Sequence, residues 1–230
     1  MKSKKKSFDL KKSFYSKNPV YVYGILDPYT AHVAKFVYNM GFSANSITII
    51  TFFIGIMGIA SLFIFSGYNG LVIAAILIAF RNLGDTIDGK IARGSGTASS
   101  LGGFSDIVID WLFFHAAFFI AIGFLTNHPI IGFLCVIGYM SREFARTKFT
   151  HFYGTKITET EDAKKITEIV SILKKYDLAT VFLFIPIFLL INQPAFIIYF
   201  VLITEYFLLF GELAFDFFCL IKQQKIANKK

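Results

Sequence analysis

The chain has 230 residues, 55% hydrophobic, 18% aromatic and only 17% charged, with 29 phenylalanines and a formal net charge of +8. Soluble chains carry roughly a quarter charged residues, so this balance, with a mean hydropathy of +0.61, excludes a soluble domain, a disordered chain and a nucleic-acid-binding arm. What remains is an integral membrane protein.

The first 44 residues are rich in Lys, Ser and Tyr. A secretory signal would place an apolar run within the first 30 residues, so none is expected here. Within this segment, Asp27–Met40 sets Val33, Phe36, Val37 and Met40 on one helical face with Lys35 off it. That pattern predicts a helix lying in the cytoplasmic interface of the membrane.

A bilayer core asks for about 20 apolar residues per helix. Six stretches meet or approach this: Asn45–Ser66, Leu71–Arg93, Gly102–Thr126, Pro129–Phe149, a short fifth at Leu178–Ile191, and Pro194–Ile221. Gly, Asn and Pro punctuate the turns at 66–70, 127–129 and 192–194. The expected fold is therefore an all-α bundle of six transmembrane helices (45–230) behind a basic cytoplasmic and interfacial segment (1–44). Cys135 and Cys219 both fall inside apolar stretches, where neither a disulfide nor a thiolate metal site is expected.

The 23 basic residues sort by topology. They precede the first span, occupy the second halves of spans two and four, fill the connection between spans four and five, and follow span six. With six spans all lie on one side, which the positive-inside rule makes cytoplasmic, together with both termini. The net charge then reads as topology and attraction to anionic lipid, with no nucleic-acid partner. The expected location is the plasma membrane, multi-pass, with its active site on the cytoplasmic side.

Charge inside a membrane helix is costly and marks a functional site by default. Asp85, Asp88, Gly89 and Ala92 run i, i+3, i+4, i+7 and share one face of span two; Gly102, Asp106 and Asp110 share a face of span three. The Gly-rich connection at 94–103 makes the two helices antiparallel neighbours, so four carboxylates can converge. Asp85 lies about 21 Å along the helix from Leu71, just inside the cytoplasmic boundary. Four such carboxylates cannot all ionise uncompensated. Arg81, one turn before Asp85, can neutralise one, and oxygen-only ligands suit Mg²⁺ or Mn²⁺ for the rest. Gly89 and Ala92 leave room for a ligand, and Arg93 is suited to a diphosphate. Together these features point to phosphoryl chemistry on a lipid-linked nucleotide.

The pattern Asp85-x-x-Asp88-Gly89-x-x-Ala92-Arg93, eight residues, Gly102, three residues, Asp106, three residues, Asp110 resembles the signature of the CDP-alcohol phosphotransferases at every defined position. Asn45-Ser46-Ile47-Thr48, opening span one, is similar to that family's Asn-x-x-Thr nucleotide contact, and also reads as an ordinary helix N-cap. The resemblance implies transfer of a substituted phosphoryl group from a CDP-linked lipid to an alcohol, with release of CMP. It implies that Asp85, Asp88, Asp106 and Asp110 hold two Mg²⁺ or Mn²⁺ ions and that Asp110 is also the general base. Asn45, Ser46, Ile47, Thr48, Gly89, Ala92, Arg93, Ser99 and Gly102 would hold the CDP-lipid. A homodimer is implied as well.

Arg142 and Arg146, i and i+4 on span four with Lys148 close behind, suggest an acceptor that carries its own phosphate, such as glycerol phosphate or inositol phosphate. The alternatives are an unphosphorylated acceptor such as serine, with both arginines reaching lipid headgroups or pairing with Glu143. Glu205, Glu212 and Asp216 align on one face of span six and read as a packing face against another helix or a second subunit. His115, His128 and His151 lack ligand spacing and read as structural. A cation transporter would place its aspartates near the midplane on discontinuous helices. An intramembrane prenyltransferase would carry two separate aspartate-rich motifs on a longer bundle. Neither pattern is present.

Overall fold

Ser43 starts the first long helix. In extended backbone, its hydroxyl accepts from the Ser46 amide at 3.1 Å, so an end that would otherwise leave amides unpaired is capped. The computed structural model describes residues 7–14, 21–153 and 178–227. The lysines expected to be cytoplasmic at 2–6, 17, 156–175, 229 and 230 lie outside the described residues, as do the side chains of His151, Lys222 and Lys225.

The elements are α1 (Leu10–Ser13), α2 (Tyr21–Asn39), α3 (Ala44–Ile64), α4 (Tyr68–Ser95), α5 (Ser100–Ile107), a π-helical segment (Val108–His115), α6 (Ala116–Leu125), α7 (Pro129–Tyr153), α8 (Leu178–Leu190) and α9 (Pro194–Ala227). No strand occurs among the described residues. Four stretches are long and apolar enough to cross a membrane: Ala44–Ile64, Tyr68–Ser95, Ser100–Leu125 and Pro194–Ile221. Val181–Leu190 is a shorter apolar helix. The 25-residue α7 is comparably long but carries Arg142, Glu143 and Arg146 in its second half. The described residues are thus all-helical, those of a multi-pass membrane protein. Large apolar side chains such as Phe53, Met57, Phe80, Phe207 and Phe210 face outward, as lipid contact requires.

The described helices sort into two compact units, one formed by Met1–Ala121 with Leu178–Gln193 and the other by Ile122–Asp177 with Pro194–Lys230. In the first unit, missing side chains let helices approach. A Cβ on Gly84 of α4 would sit 1.9 Å from Thr51 Cγ2 of α3, and one on Gly55 of α3 would sit 2.6 Å from the Phe114 ring. Without a hydrophobic drive between helices in lipid, such close backbone contact is the main packing gain. Phe114, Phe118, Phe119 and Phe182 form the aromatic centre of this unit, and His115 stacks on Phe182 with ring centroids 4.1 Å apart. Pro186 sits inside α8, so the Phe182 carbonyl one turn earlier lacks its in-helix donor. Asn82 of α4 supplies one instead, its Nδ2 donating to that carbonyl at 2.6 Å.

α2 begins at Tyr21, earlier than the expected Asp27, and Val33, Phe36 and Met40 of the expected apolar face lie on its outside. The buried face is instead small and polar: Asp27, Thr30, Ala31 and Ala34. Val37 alone of the four expected residues packs inward, against the cluster of Ala34, Ile87 and Ile91.

In the second unit α7 and α9 pack through Gly138, where a Cβ would meet the Tyr206 ring at 2.6 Å. The buried Cys135 thiol donates to the Ile198 carbonyl at 3.1 Å.

Candidate active site

α4 carries its charged face at its C-terminal end. Asp85, Asp88, Gly89, Ala92 and Arg93 occupy its last three turns, and the helix stops where Gly96 adopts φ +69°, a conformation a glycine takes without a Cβ penalty. The Gly96 amide bonds the Arg93 carbonyl at 3.2 Å, and those of Thr97 and Ala98 bond the Ala92 carbonyl at 2.9 and 3.0 Å. The chain reverses at once. Ser99 then caps α5, its hydroxyl accepting from the Gly102 amide at 3.0 Å.

This hairpin returns Asp106 to the α4 aspartates. Asp85, Asp88 and Asp106 each bring a carboxylate oxygen to within 4.8 Å of the others. The triad adjoins a pocket of about 200 Å³, walled by Asn45 and Thr48 of α3, by Asp88, Gly89, Ala92 and Arg93 of α4, and by Ser99, Gly102 and Asp106 beyond the turn. A Cβ on Gly89 would lie 3.2 Å from Arg93 Nη1, so the guanidinium folds back along the helix over the bare backbone there.

Thr48 is the closest neighbour of the triad from α3, its Oγ1 donating to Asp88 Oδ2 at 2.6 Å. Asp110 is not one of the three mutually close aspartates but is in side-chain contact with Asp85. It lies in the π-helical segment, and Arg81 Nη2 donates to its Oδ1. The same nitrogen lies 3.6 Å from Asp85 Oδ1, and the guanidinium covers the Phe114 ring at 4.3 Å. Arg81, read from the sequence as a partner of Asp85, thus spans both carboxylates.

The donor set fits a hard divalent cation. Three carboxylates at this separation repel one another unless a cation lies between them. In addition, Asp106 Oδ1 is buried with no hydrogen-bond partner, an expensive state for an oxygen that nothing ligates.

Of the residues expected around the nucleotide, Asn45, Thr48, Gly89, Ala92, Arg93, Ser99 and Gly102 come together at the pocket. Ser46 and Ile47 do not. Ser46 pairs with the Ser43 hydroxyl at 2.7 Å, and Ile47 packs on the Ile87–Ile91 cluster. Gly103, read only as part of the Gly-rich connection, also lines the pocket, as do Ala44, Thr97 and Ala98, which were not singled out in the sequence. For Thr97 and Ala98, the position between the two halves of the aspartate pattern was the available signal.

Arg142 and Arg146 belong to the other unit and are matched to acids there. Arg142, 1% exposed, bonds Glu205 at 2.9 Å and Glu212 at 3.1 Å. Arg146 bonds Glu212 at 2.7 Å and Glu143 at 2.9 Å. Glu205 and Glu212, expected as a packing face, are therefore packed against the arginines of α7. Lys148 is exposed, its Nζ 5.5 Å from the Phe144 ring centroid.

Residues 42–211 match the family model described as CDP-alcohol phosphatidyltransferase. The chain is also 30% identical over 117 residues to an archaetidylinositol phosphate synthase of Pyrococcus horikoshii, an overlap that takes in 50% of this chain. It spans 60% of that relative's length.

Proposed function

Since this chain belongs to the CDP-alcohol phosphatidyltransferase family, and is therefore a transferase, we propose that it moves a phosphatidyl-type group from a CDP-linked lipid to a small hydroxyl acceptor, releasing CMP. The observation that carries this reading is the Asp85–Asp88–Asp106 triad beside a pocket that also holds Arg93.

Asp85, Asp88 and Asp106 would hold Mg²⁺ or Mn²⁺, and Asp110 would share a second ion. Bound there, the cations offset charge on the diphosphate as its bond to CMP breaks. Arg93 steadies the diphosphate, with Gly89 and Gly102 giving the nucleotide close access to the backbone. Asp110 accepts the proton of the acceptor hydroxyl. The freed oxygen attacks the lipid-bearing phosphorus, and the bonding pair of the broken phosphoanhydride leaves with CMP. Arg81 keeps the Asp110 carboxylate oriented and limits its repulsion from Asp85.

The acceptor in this reading is a phosphorylated polyol, with inositol phosphate foremost. The observation that supports it is the printed name of the Pyrococcus relative; Arg142, read from the sequence as a phosphate contact, is instead buried between Glu205 and Glu212. The same reading includes six spans behind the segment 1–44, both termini and the site on the cytoplasmic side of the plasma membrane, and a homodimer.

The test is CMP release from CDP-diacylglycerol and its ether-linked counterpart, with Mn²⁺, across inositol 1-phosphate, glycerol 3-phosphate, inositol and serine. Turnover should depend on metal, vanish in excess chelator and favour phosphorylated acceptors. No CMP release with any acceptor would overturn the reading.

A further inference from the structure

Lys90 is the charged residue of α4 that the aspartate pattern leaves unexplained. It is two residues beyond Asp88, on the side of the helix away from the pocket, and fully buried. Its ammonium is paired with the buried Asp27 of α2, 63 residues away in the chain. A buried ion pair adds little stability relative to apolar residues of the same volume. Its presence therefore invites a role in geometry.

A second tether holds the same end of α4. The Phe8 ring fills the space over Gly94, where a Cβ would come within 2.4 Å of it, and the Asp9 amide donates to the Gly94 carbonyl at 2.8 Å. Between the tethers, Ile87 and Ile91 pack on Ala34. The last turns of α4 are thus gripped from behind over the stretch that presents Asp88, Gly89 and Arg93 in front. A free helix end frays, and a metal ligand on it loses affinity unless neighbouring groups fix it.

We propose that Asp27 and Lys90 are positioning residues, a clamp from α2 that fixes the orientation of Asp88, Gly89 and Arg93 toward cation and nucleotide. This rests on the functional reading above, but its deciding readout, Mn²⁺ affinity, needs no turnover. The decisive variant is Asp27→Leu with Lys90→Met, which replaces the pair by apolar groups and leaves the fold at or near wild-type stability. Mn²⁺ affinity is measured by electron paramagnetic resonance on full-length protein in detergent, beside the thermal unfolding temperature and the KM of each substrate.

The clamp requires the double variant to unfold near the wild-type temperature while binding Mn²⁺ about tenfold more weakly. The KM for CDP-lipid rises with it, and the acceptor's KM stays in place. Lys90→Arg, which keeps the pair, restores the Mn²⁺ affinity. A stable double variant with wild-type Mn²⁺ affinity and unchanged KM for CDP-lipid overturns the proposal and leaves the pair as packing. Should the double variant not fold, Asp27→Asn is read in the same titration, and wild-type affinity there overturns it equally. A wild-type protein that binds Mn²⁺ but releases no CMP from CDP-lipid defeats the functional reading while the titration still decides the clamp.

Discussion

Thr48 Oγ1 donates to Asp88 Oδ2 at 2.6 Å, joining the first turns of α3 to the aspartate face of α4. The hydroxyl also lies 3.2 Å from the Ala44 carbonyl, but it has one proton, and the shorter contact to a carboxylate takes it. Thr48 therefore orients one carboxylate of the triad. Thr48→Val keeps the shape and removes the donor. It should weaken Mn²⁺ binding by about tenfold or more, whereas Thr48→Ser should stay near wild type. Equal metal affinity in Val and Ser variants would show that the hydrogen bond positions nothing.

Asp110 is held by Arg81, and the same guanidinium nitrogen also reaches Asp85. A base acts in the chemical step, so Asp110→Asn should cost about 10²- to 10⁴-fold in kcat while CDP-lipid still binds. Asp85→Asn should lose metal and nucleotide affinity together. The check is single-turnover CMP release at saturating CDP-lipid, beside equilibrium binding of CDP. An Asp110→Asn enzyme with a normal saturated rate would move the base elsewhere.

The aspartate cluster was legible in the sequence because its spacing is a helix-face spacing on two antiparallel neighbours, and α4 and α5 carry it as read. What was not legible is that Asp110 sits in a π-helical turn and shares one Arg81 nitrogen with Asp85. An i, i+4 spacing assumes regular α-helix, and the π-helical turn Val108–His115 gives no periodic signal of its own. The buried face of α2 escaped for a different reason. Apolar periodicity marks Val33, Phe36 and Met40, which are exposed, while the face packed on α4 is built from Asp27, Thr30, Ala31 and Ala34. The partners of Arg142 and Arg146 were only half visible. The three acids of α9 were seen to share a face, but a pairing 63 or 70 residues distant has no local signature.

Asn82 compensates for a proline 104 positions later, bonding the carbonyl that Pro186 leaves without a donor. Asn82→Leu leaves that buried carbonyl unsatisfied and should destabilise by about 1–3 kcal/mol. Adding Pro186→Ala restores the in-helix donor and should recover part of the loss. Thermal unfolding of the four proteins in one detergent forms the double-mutant cycle. Strict additivity would mean that the two residues do not share the carbonyl.

Arg146 and Arg142 make the same kind of ion pair but should fail differently when removed. Arg142 has 2% of its side chain exposed and stands between Glu205 and Glu212. Arg142→Ala strands a buried glutamate and should cost about 3–5 kcal/mol of stability. Arg146 keeps 18% of its side chain exposed, and Glu212 retains Arg142 when it is gone. Arg146→Ala should therefore fold. If its guanidinium meets the acceptor's phosphate, the substitution removes a bidentate partner and should raise the acceptor's KM at least about tenfold. The KM for CDP-lipid should hardly move, because Arg146 is not among the residues that line the aspartate pocket. The panel is run with inositol 1-phosphate, glycerol 3-phosphate and serine on wild type and on Arg146→Ala. A wild-type enzyme that uses serine and ignores both phosphates would defeat the acceptor assignment and leave the arginines as structural partners of α9.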